Sequence, residues 1–184
     1  MVRREDMDEA QTNDLLLRLI PRVQRAVRYA VGRDAEAGDL MNTCIAEILK
    51  GLGGYRGTGS LEAWADRVTY RVMMRQLKRR RRRERTVGLD PNLERHEPEQ
   101  GVDECARIDV ATRLRRALGE LPEERRLTLI LRVVMGHSVP EVAELTEVGI
   151  HTVRARIRQG LKDLRQSLSA DPATVELLAG VYDA

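Results

Sequence analysis

Apolar residues return at steps of three and four along most of the chain, and the phase resets often enough to predict a series of separate helices. Residues 1–12 are polar and carry no such pattern, so a loose start is expected. From Asp14, the run Leu16, Leu19, Ile20, Val23, Val27, Ala30 and Val31 marks a first stripe. Pro21 either bends that helix or opens its main segment, and Gly32 ends it. Asp34 can cap a second helix with Leu40, Met41, Cys44, Ile45, Ile48, Leu49 and Leu52 on its apolar side. Its polar side carries Asp39, Asn42, Thr43, Glu47 and Lys50. Ser60 can cap a third helix, with Leu61, Trp64, Val68, Val72 and Leu77 on one face.

The second half begins with a change of character. Residues 86–106 hold Asp90, Glu94, Glu97, Glu99, Asp103 and Glu104 together with Pro91, Pro98, Gly88 and Gly101, the composition of an acidic linker. Ala111, Leu114, Leu118 and Leu121 then mark a helix, and Pro122-Glu123-Glu124 opens another with Leu127, Ile130, Leu131 and Val134 inward. Gly119 and Gly136 are the expected stops. A short helix with Val139, Val142, Ala143 and Leu145 leads through Gly149 into a longer one on Ile150, Val153, Ile157, Leu161, Leu164 and Leu168. The pair reads as a helix-turn-helix. Past Leu168, Ser169-Ala170-Asp171-Pro172 can cap a last helix with Val175, Leu177, Leu178 and Val181. The predicted fold class is all-α: two small helical domains, 14–85 and 107–168, joined by the acidic linker 86–106, with the helix-turn-helix in the second and an extension at 169–184.

Composition narrows the function classes. With 184 residues, two domains would each lie near the lower limit for burying a core. The chain has no Phe, four Tyr and one Trp, which favours helix over sheet. Cys44 and Cys105 form no C-x-x-C, and His96, His137 and His151 are scattered, so neither a disulfide framework nor a metal site is indicated. No cofactor is implied. No apolar run reaches membrane-span length and the start lacks a signal-peptide core, so a cytoplasmic protein without membrane insertion is expected. The stretch Gly51-Leu52-Gly53-Gly54-Tyr55-Arg56-Gly57-Thr58-Gly59-Ser60 is not a Walker loop, because it follows a helix and lacks the Gly-Lys-Ser/Thr ending. No nucleophile–base pair with a fixing third residue is legible, so no catalytic residue is assigned and an enzyme is not expected.

Charge points to nucleic acid. The net charge is only +3, but the cations are clustered. Residues 75–85 contain eight cations in eleven positions, more than a helix C-terminus needs for its dipole, and phosphate contact is the preferred reading over a solvated tail. Arg154, Arg156, Arg158, Lys162 and Arg165 put five more on the last long helix against a single Asp163. In a helix-turn-helix the second helix enters the major groove, which would set His151, Thr152, Arg154, Ala155 and Arg158 over base edges.

Ser138, Glu141, Val142, Ala143, Glu144, Val148, Thr152, Val153, Arg156 and Ile157 match, without a gap, the S-x-E-E-I-A-E-x-L-G-I-x-x-G-T-V-x-S-R-L run of the promoter-reading domain of bacterial sigma factors. Thr146 and Glu147 stand where that pattern has Leu and Gly. Asp39-Leu40-Met41-Asn42-Thr43, Tyr55-Arg56-Gly57 with Ser60 and Trp64, and Arg67-Val68 resemble the D-L-V-Q-E, F-R-G-x-S-S-x-x-x-W and R-I-A-x-N motifs of the first domain of extracytoplasmic-function (ECF) sigma factors. Here Thr43 replaces an acidic residue, Thr69 an Ala and Arg71 an Asn. The resemblance covers about residues 14–168 and implies a sigma factor that directs core RNA polymerase to promoter DNA.

That resemblance also implies roles. Asp39, Leu40, Asn42 and Thr43 would dock on the clamp helices of the largest polymerase subunit. Tyr55, Arg56, Gly57, Thr58, Ser60, Trp64, Arg67, Tyr70, Arg71 and Arg75 would engage the proximal promoter element and help to open it, the aromatics by stacking or lining a base pocket and the arginines along the backbone. Trp64 has a rival reading as an ordinary core residue. The linker would pass through the polymerase interior or serve as a plain tether. An anti-sigma factor is a further implied partner that no residue identifies. The free chain is expected to be a monomer. The alternatives are an autonomous helix-turn-helix regulator, which normally needs a dimer to span two half-sites, and an inactive sigma-like protein that binds polymerase or DNA without initiating.

Overall fold

The computed structural model describes residues 9–31, 35–57, 59–87 and 105–168, and every regular element among them is helical. Helices α1 (Glu9–Val31), α2 (Ala35–Gly51) and α3 (Leu61–Val87) make a first module, with a 3₁₀ turn at Leu52–Gly54 after α2. Helices α4 (Cys105–Glu120), α5 (Glu123–Leu129), α6 (Val139–Thr146) and α7 (Ile150–Leu168) make a second, and a π-helical turn at Ile130–Val134 prolongs α5. The Asp34 cap, Thr58, most of the expected linker and the extension at 169–184 with its short helix lie outside the described residues. No helix among the described residues is long and apolar enough to cross a membrane.

Helix α1 differs from expectation at its start and in its phase. It begins at Glu9, because Glu9-Ala10-Gln11-Thr12 contains neither Gly nor Pro to stop a helix from running back through polar residues. Pro21 lies within it. The buried stripe is Leu15, Leu19, Val23, Ala26, Val27 and Ala30, whereas Leu17 is 65% and Ile20 37% exposed. Three consecutive leucines at 15–17 leave the phase open, and Ala26 and Ala30 continue the one headed by Leu15. On α2, the turn after it and α3 the buried positions include Leu40, Cys44, Ile48, Leu52, Val72, Met73 and Leu77. Burial pushes the Cys44 thiol up to about 12, so it packs as a small apolar group.

The two modules are not held apart. The first module's core runs on through Leu127, Ile130, Leu131, Val142, Leu145 and Val153 of the second. A smaller cluster, with Leu118, Leu121, Leu129, Leu161, Leu164 and Leu168, is built from the second module, and Tyr29 of α1 packs against it. Sharing a core relieves the size problem that two short domains face separately.

A polar network crosses the same boundary. Arg22 of α1 donates from Nε to both oxygens of Asp66 on α3 at 2.8 Å, and from Nη2 to Oδ2 at 2.6 Å. His137, in the loop before α6, places Nε2 at 2.7 Å from the same Oδ2. An ionised carboxylate only accepts, so the imidazole proton belongs on Nε2, and the 3.2 Å approach of Arg22 Nη2 to that atom is a contact without a hydrogen bond. Hydrogen bonding to Asp66 holds the Arg22 guanidinium protonated beyond its usual range. Arg126 of α5 adds a bond from Nη1 to the Ala30 carbonyl at 2.9 Å, satisfying a carbonyl at the C-terminal end of α1.

Asp66 is 1% exposed, so replacing it with Ala leaves Arg22 and His137 facing each other without their acceptor. Because Arg22 retains some contact with water, the loss is expected at about 3 kcal/mol, at the low end for a broken buried pair. Chemical denaturation of Asp66→Ala against the parent measures it; a change below about 0.5 kcal/mol would show that the network adds nothing.

Candidate nucleic-acid interface

The helix-turn-helix is built from the capping residues upward. Ser138 N–H donates to Glu141 Oε2 at 2.7 Å and Glu141 N–H to Ser138 Oγ at 3.4 Å, a reciprocal capping box that starts α6. The helix ends at Glu147, whose φ of 58° and ψ of 35° lie in the left-handed region. The resemblance has Gly at this position, so Glu147 adopts a glycine conformation and carries the steric cost of its Cβ. The turn geometry is thereby retained, with Val148 N–H donating to Ala143 O at 3.2 Å.

Helix α7 divides cleanly. Val153, Gly160, Leu161, Leu164 and Leu168 are buried, and a Cβ on Gly160 would stand 2.9 Å from Leu129 Cδ1, so α7 passes close over α5 there. His151, Thr152, Arg154, Ala155 and Arg158 are all exposed. No carboxylate among the described residues pairs with Arg154 or Arg158, whereas the lone Asp163 accepts from Arg125 Nη1 at 2.7 Å and Gln159 Nε2 at 2.8 Å. Arg156 departs from the expected basic face: it is half-buried and turns towards Tyr70 of α3.

The second set of expected residues surrounds the start of α3. Ser60 Oγ accepts from Ala63 N–H at 3.1 Å and caps the helix as expected. Tyr55 Oη donates to Gly59 O at 2.7 Å, and the Tyr55 and Trp64 rings meet at 5.7 Å with planes tilted by 51°. Trp64 also packs on Gly51, where a Cβ would lie 3.0 Å from Cζ2. Trp64 is thus half-buried at the edge of the core, between its two readings. Arg56, Gly57 and Arg75 are exposed, and Thr58 is outside the described residues. Arg67 is half-buried with Nε unpartnered. Tyr70 is 8% exposed, its hydroxyl pushed up by burial, and Arg71 pairs with Glu147. On α2, Asp39 and Asn42 are exposed and Thr43 bonds back to the Asp39 carbonyl at 2.8 Å, but Leu40 is buried and holds the helix to the core.

The arginine run on α3 is split between two uses. Lys78 meets Glu124 at 3.1 Å, Arg80 meets Glu36 at 2.6 Å and Arg81 meets Glu123 at 2.9 Å, while Arg79, Arg82 and Arg83 face solvent. Part of what the sequence suggests as phosphate-binding charge is therefore matched by carboxylates within the chain. The Arg22–Asp66–His137 network was not foreseeable from local pattern; the only signal is Asp66 and Thr69 falling on the apolar side of α3.

Residues 15–83 match the family model for sigma-70 region 2, and residues 111–164 match that for sigma-70, region 4. The chain belongs to the sigma-70 family. Among relatives, it is 27% identical over 168 residues to the ECF RNA polymerase sigma factor SigE of Mycolicibacterium smegmatis, covering 85% of this chain and 61% of that protein. It is 25% identical over 150 residues to the ECF RNA polymerase sigma-E factor of Escherichia coli, covering 76% and 78%. These place it in the ECF branch. This sigma-70 chain thus spans only about three fifths of the SigE relative. Its fold is like that of the sigma factor RpoE in complex with the anti-sigma factor NepR from Bartonella quintana, with a TM-score of 0.68 and 18% identity over 87% of this chain and 98% of that one. The structure of CnrH in complex with the cytosolic domain of CnrY is similar at TM-score 0.67 and 20% identity, covering 91% and 94%.

Glu147→Gly and Glu147→Ala both remove the Arg71 partner, but only Gly suits the left-handed backbone, so the Gly variant should be about 1 kcal/mol more stable in denaturant. Equal stabilities would mean the turn is not left-handed in solution. The Ser138 hydrogen bonds hold the Glu141 carboxyl below the usual range. A depressed folded value means stability that is present above the ordinary glutamate pKa and lost as pH falls through the lowered one. The stability gap between the parent and Glu141→Gln should therefore close on acidification; a gap independent of pH would place the carboxylate outside the cap.

Proposed function

We propose that the chain is a sigma factor that binds core RNA polymerase and directs promoter recognition, DNA opening and the start of transcription. The observation that carries this reading is the row His151, Thr152, Arg154, Ala155 and Arg158, exposed along α7 of a chain that matches sigma-70 regions 2 and 4 in order. Unpaired arginines on a groove-sized helix suit bidentate bonds to guanine edges. In this reading α7 takes the distal promoter element. The loop from Tyr55 to Ser60, including Thr58, and the α3 residues Trp64, Arg67, Tyr70, Arg71 and Arg75 take the proximal element, where aromatic faces offset the unstacking of bases. Asp39, Asn42 and Thr43 dock on the clamp helices of polymerase, with Leu40 setting their helix in place. An anti-sigma factor, of the kind that NepR is for RpoE, is the second protein partner. The chain itself makes or breaks no bond, needs no cofactor or metal, and acts in the cytoplasm where its template is.

Reconstitution tests the proposal: the purified chain with bacterial core polymerase and a promoter library should give defined transcripts, whereas specific binding to a palindrome without polymerase would favour an autonomous regulator. Arg154→Ala or Arg158→Ala should cost about 1–3 kcal/mol and relax sequence preference at one position of the distal element. An equal loss on every sequence would assign the arginine to phosphate alone. Asp39→Ala with Asn42→Ala should weaken polymerase binding while leaving the fold unchanged, since both side chains are exposed; unaltered binding would move the docking surface elsewhere.

A further inference from the structure

The loop that leads into α3 is fastened by a group its motif does not call for. Tyr55 stands where the first-domain motif has Phe, and the difference is one hydroxyl. That hydroxyl donates to the Gly59 carbonyl at 2.7 Å, so a side chain at the start of the loop reaches over Arg56 and Gly57 to the residue just before the Ser60 cap. Among the described residues no other side chain bonds across this loop. The backbone here gains from such a tie. Gly57 and Gly59 have φ of 74° and 83°, and a Cβ on either would meet nothing within 4 Å, so the loop stands clear of the rest of the chain in a left-handed conformation. Glycines also leave an untied loop more conformations to lose on binding. Tyr55 is itself well anchored. Its N–H donates to the carbonyl of buried Leu52 at 3.1 Å, and its ring lies 5.7 Å from that of Trp64, which rests on Gly51. A Tyr55 ring that swung out to stack on a base would give up both the Trp64 contact and the hydrogen bond.

We infer that Tyr55 is a positioning residue: its hydroxyl braces the loop in the shape that accepts an unstacked base of the proximal element, while its ring stays on Trp64. The inference rests on the proposed function for what the loop receives, but the brace is a property of the free chain. A loop ordered beforehand loses less freedom when it binds, so the brace favours the opened promoter without touching it. The hydroxyl, and not the aromatic face, is then the part of Tyr55 that matters for the proximal element.

Trp64 is the only tryptophan and lies beside the brace, so its fluorescence reports on the loop in the full chain. Tyr55→Phe keeps the ring and removes only the hydroxyl, and acrylamide should quench Trp64 more readily in it than in the parent. Equal quenching overturns the brace. Each chain is then assembled with core polymerase and its affinity measured on a promoter selected with the parent, with the proximal element intact or scrambled. Tyr55→Phe should bind core polymerase as the parent does, lose about three-fold on the intact element, the lower range for one hydrogen bond, and lose nothing on the scrambled one. If Tyr55→Phe matches the parent on the intact element and only Tyr55→Ala loses affinity, the ring is the contact and the inference is overturned. An equal loss on both templates, or weakened polymerase binding, marks general damage and also overturns it. If the parent forms no promoter-specific complex with polymerase, the proposed function fails, while the quenching still decides whether the brace exists.

Discussion

A carboxylate taken out of water must be met by donors and positive charge, and Asp66 is met from two other segments of the chain, one in each module. Arg22 arrives from α1 and His137 from the loop that precedes α6. Both modules contribute: the first supplies the guanidinium, which reaches both oxygens, and the second adds the imidazole at Oδ2. The surrounding apolar core, running from Leu15 and Ile48 to Ile130 and Val153, makes water unable to substitute for either. The docking of the modules is in this sense specified by a polar centre as well as driven by apolar area.

With the modules docked, Tyr70 is covered and Arg71 is engaged by Glu147, while α7 keeps Arg154 and Arg158 in the open. The cations of α3 are divided between the two sides of the boundary: Lys78 meets Glu124 and Arg81 meets Glu123 of the second module, and Glu123 is itself buried. The exposed Arg71–Glu147 pair is by contrast worth less than about 1 kcal/mol.

Much of this was legible in the sequence where the signal is local. Helix stripes, the Ser60 cap, the helix-turn-helix and the outward row on α7 all follow from spacing within one or two turns. The phase of α1 is not fixed by its sequence, because Leu15, Leu16 and Leu17 permit several stripes and only packing chooses the one headed by Leu15. Arg156 shares its stretch with exposed basic residues although its helical position turns it inward, and Leu40, grouped by resemblance with the docking residues Asp39 and Asn42, keeps to the apolar side while those two are exposed. Contacts between modules could not be read at all. Glu147 illustrates why: sequence reasoning identified a residue poorly suited to its turn, but its partner lies 76 positions away on another helix. The resemblance marked both departures without any means of joining them.

The docking of the two modules on one core is measured most directly by distance in the free chain. With a fluorophore pair at the exposed positions 17 and 144, one on each module, the chain should show a single short inter-module distance that lengthens when His137→Ala removes the second module's share of the polar centre. A broad distribution of long distances in the parent chain would contradict the account.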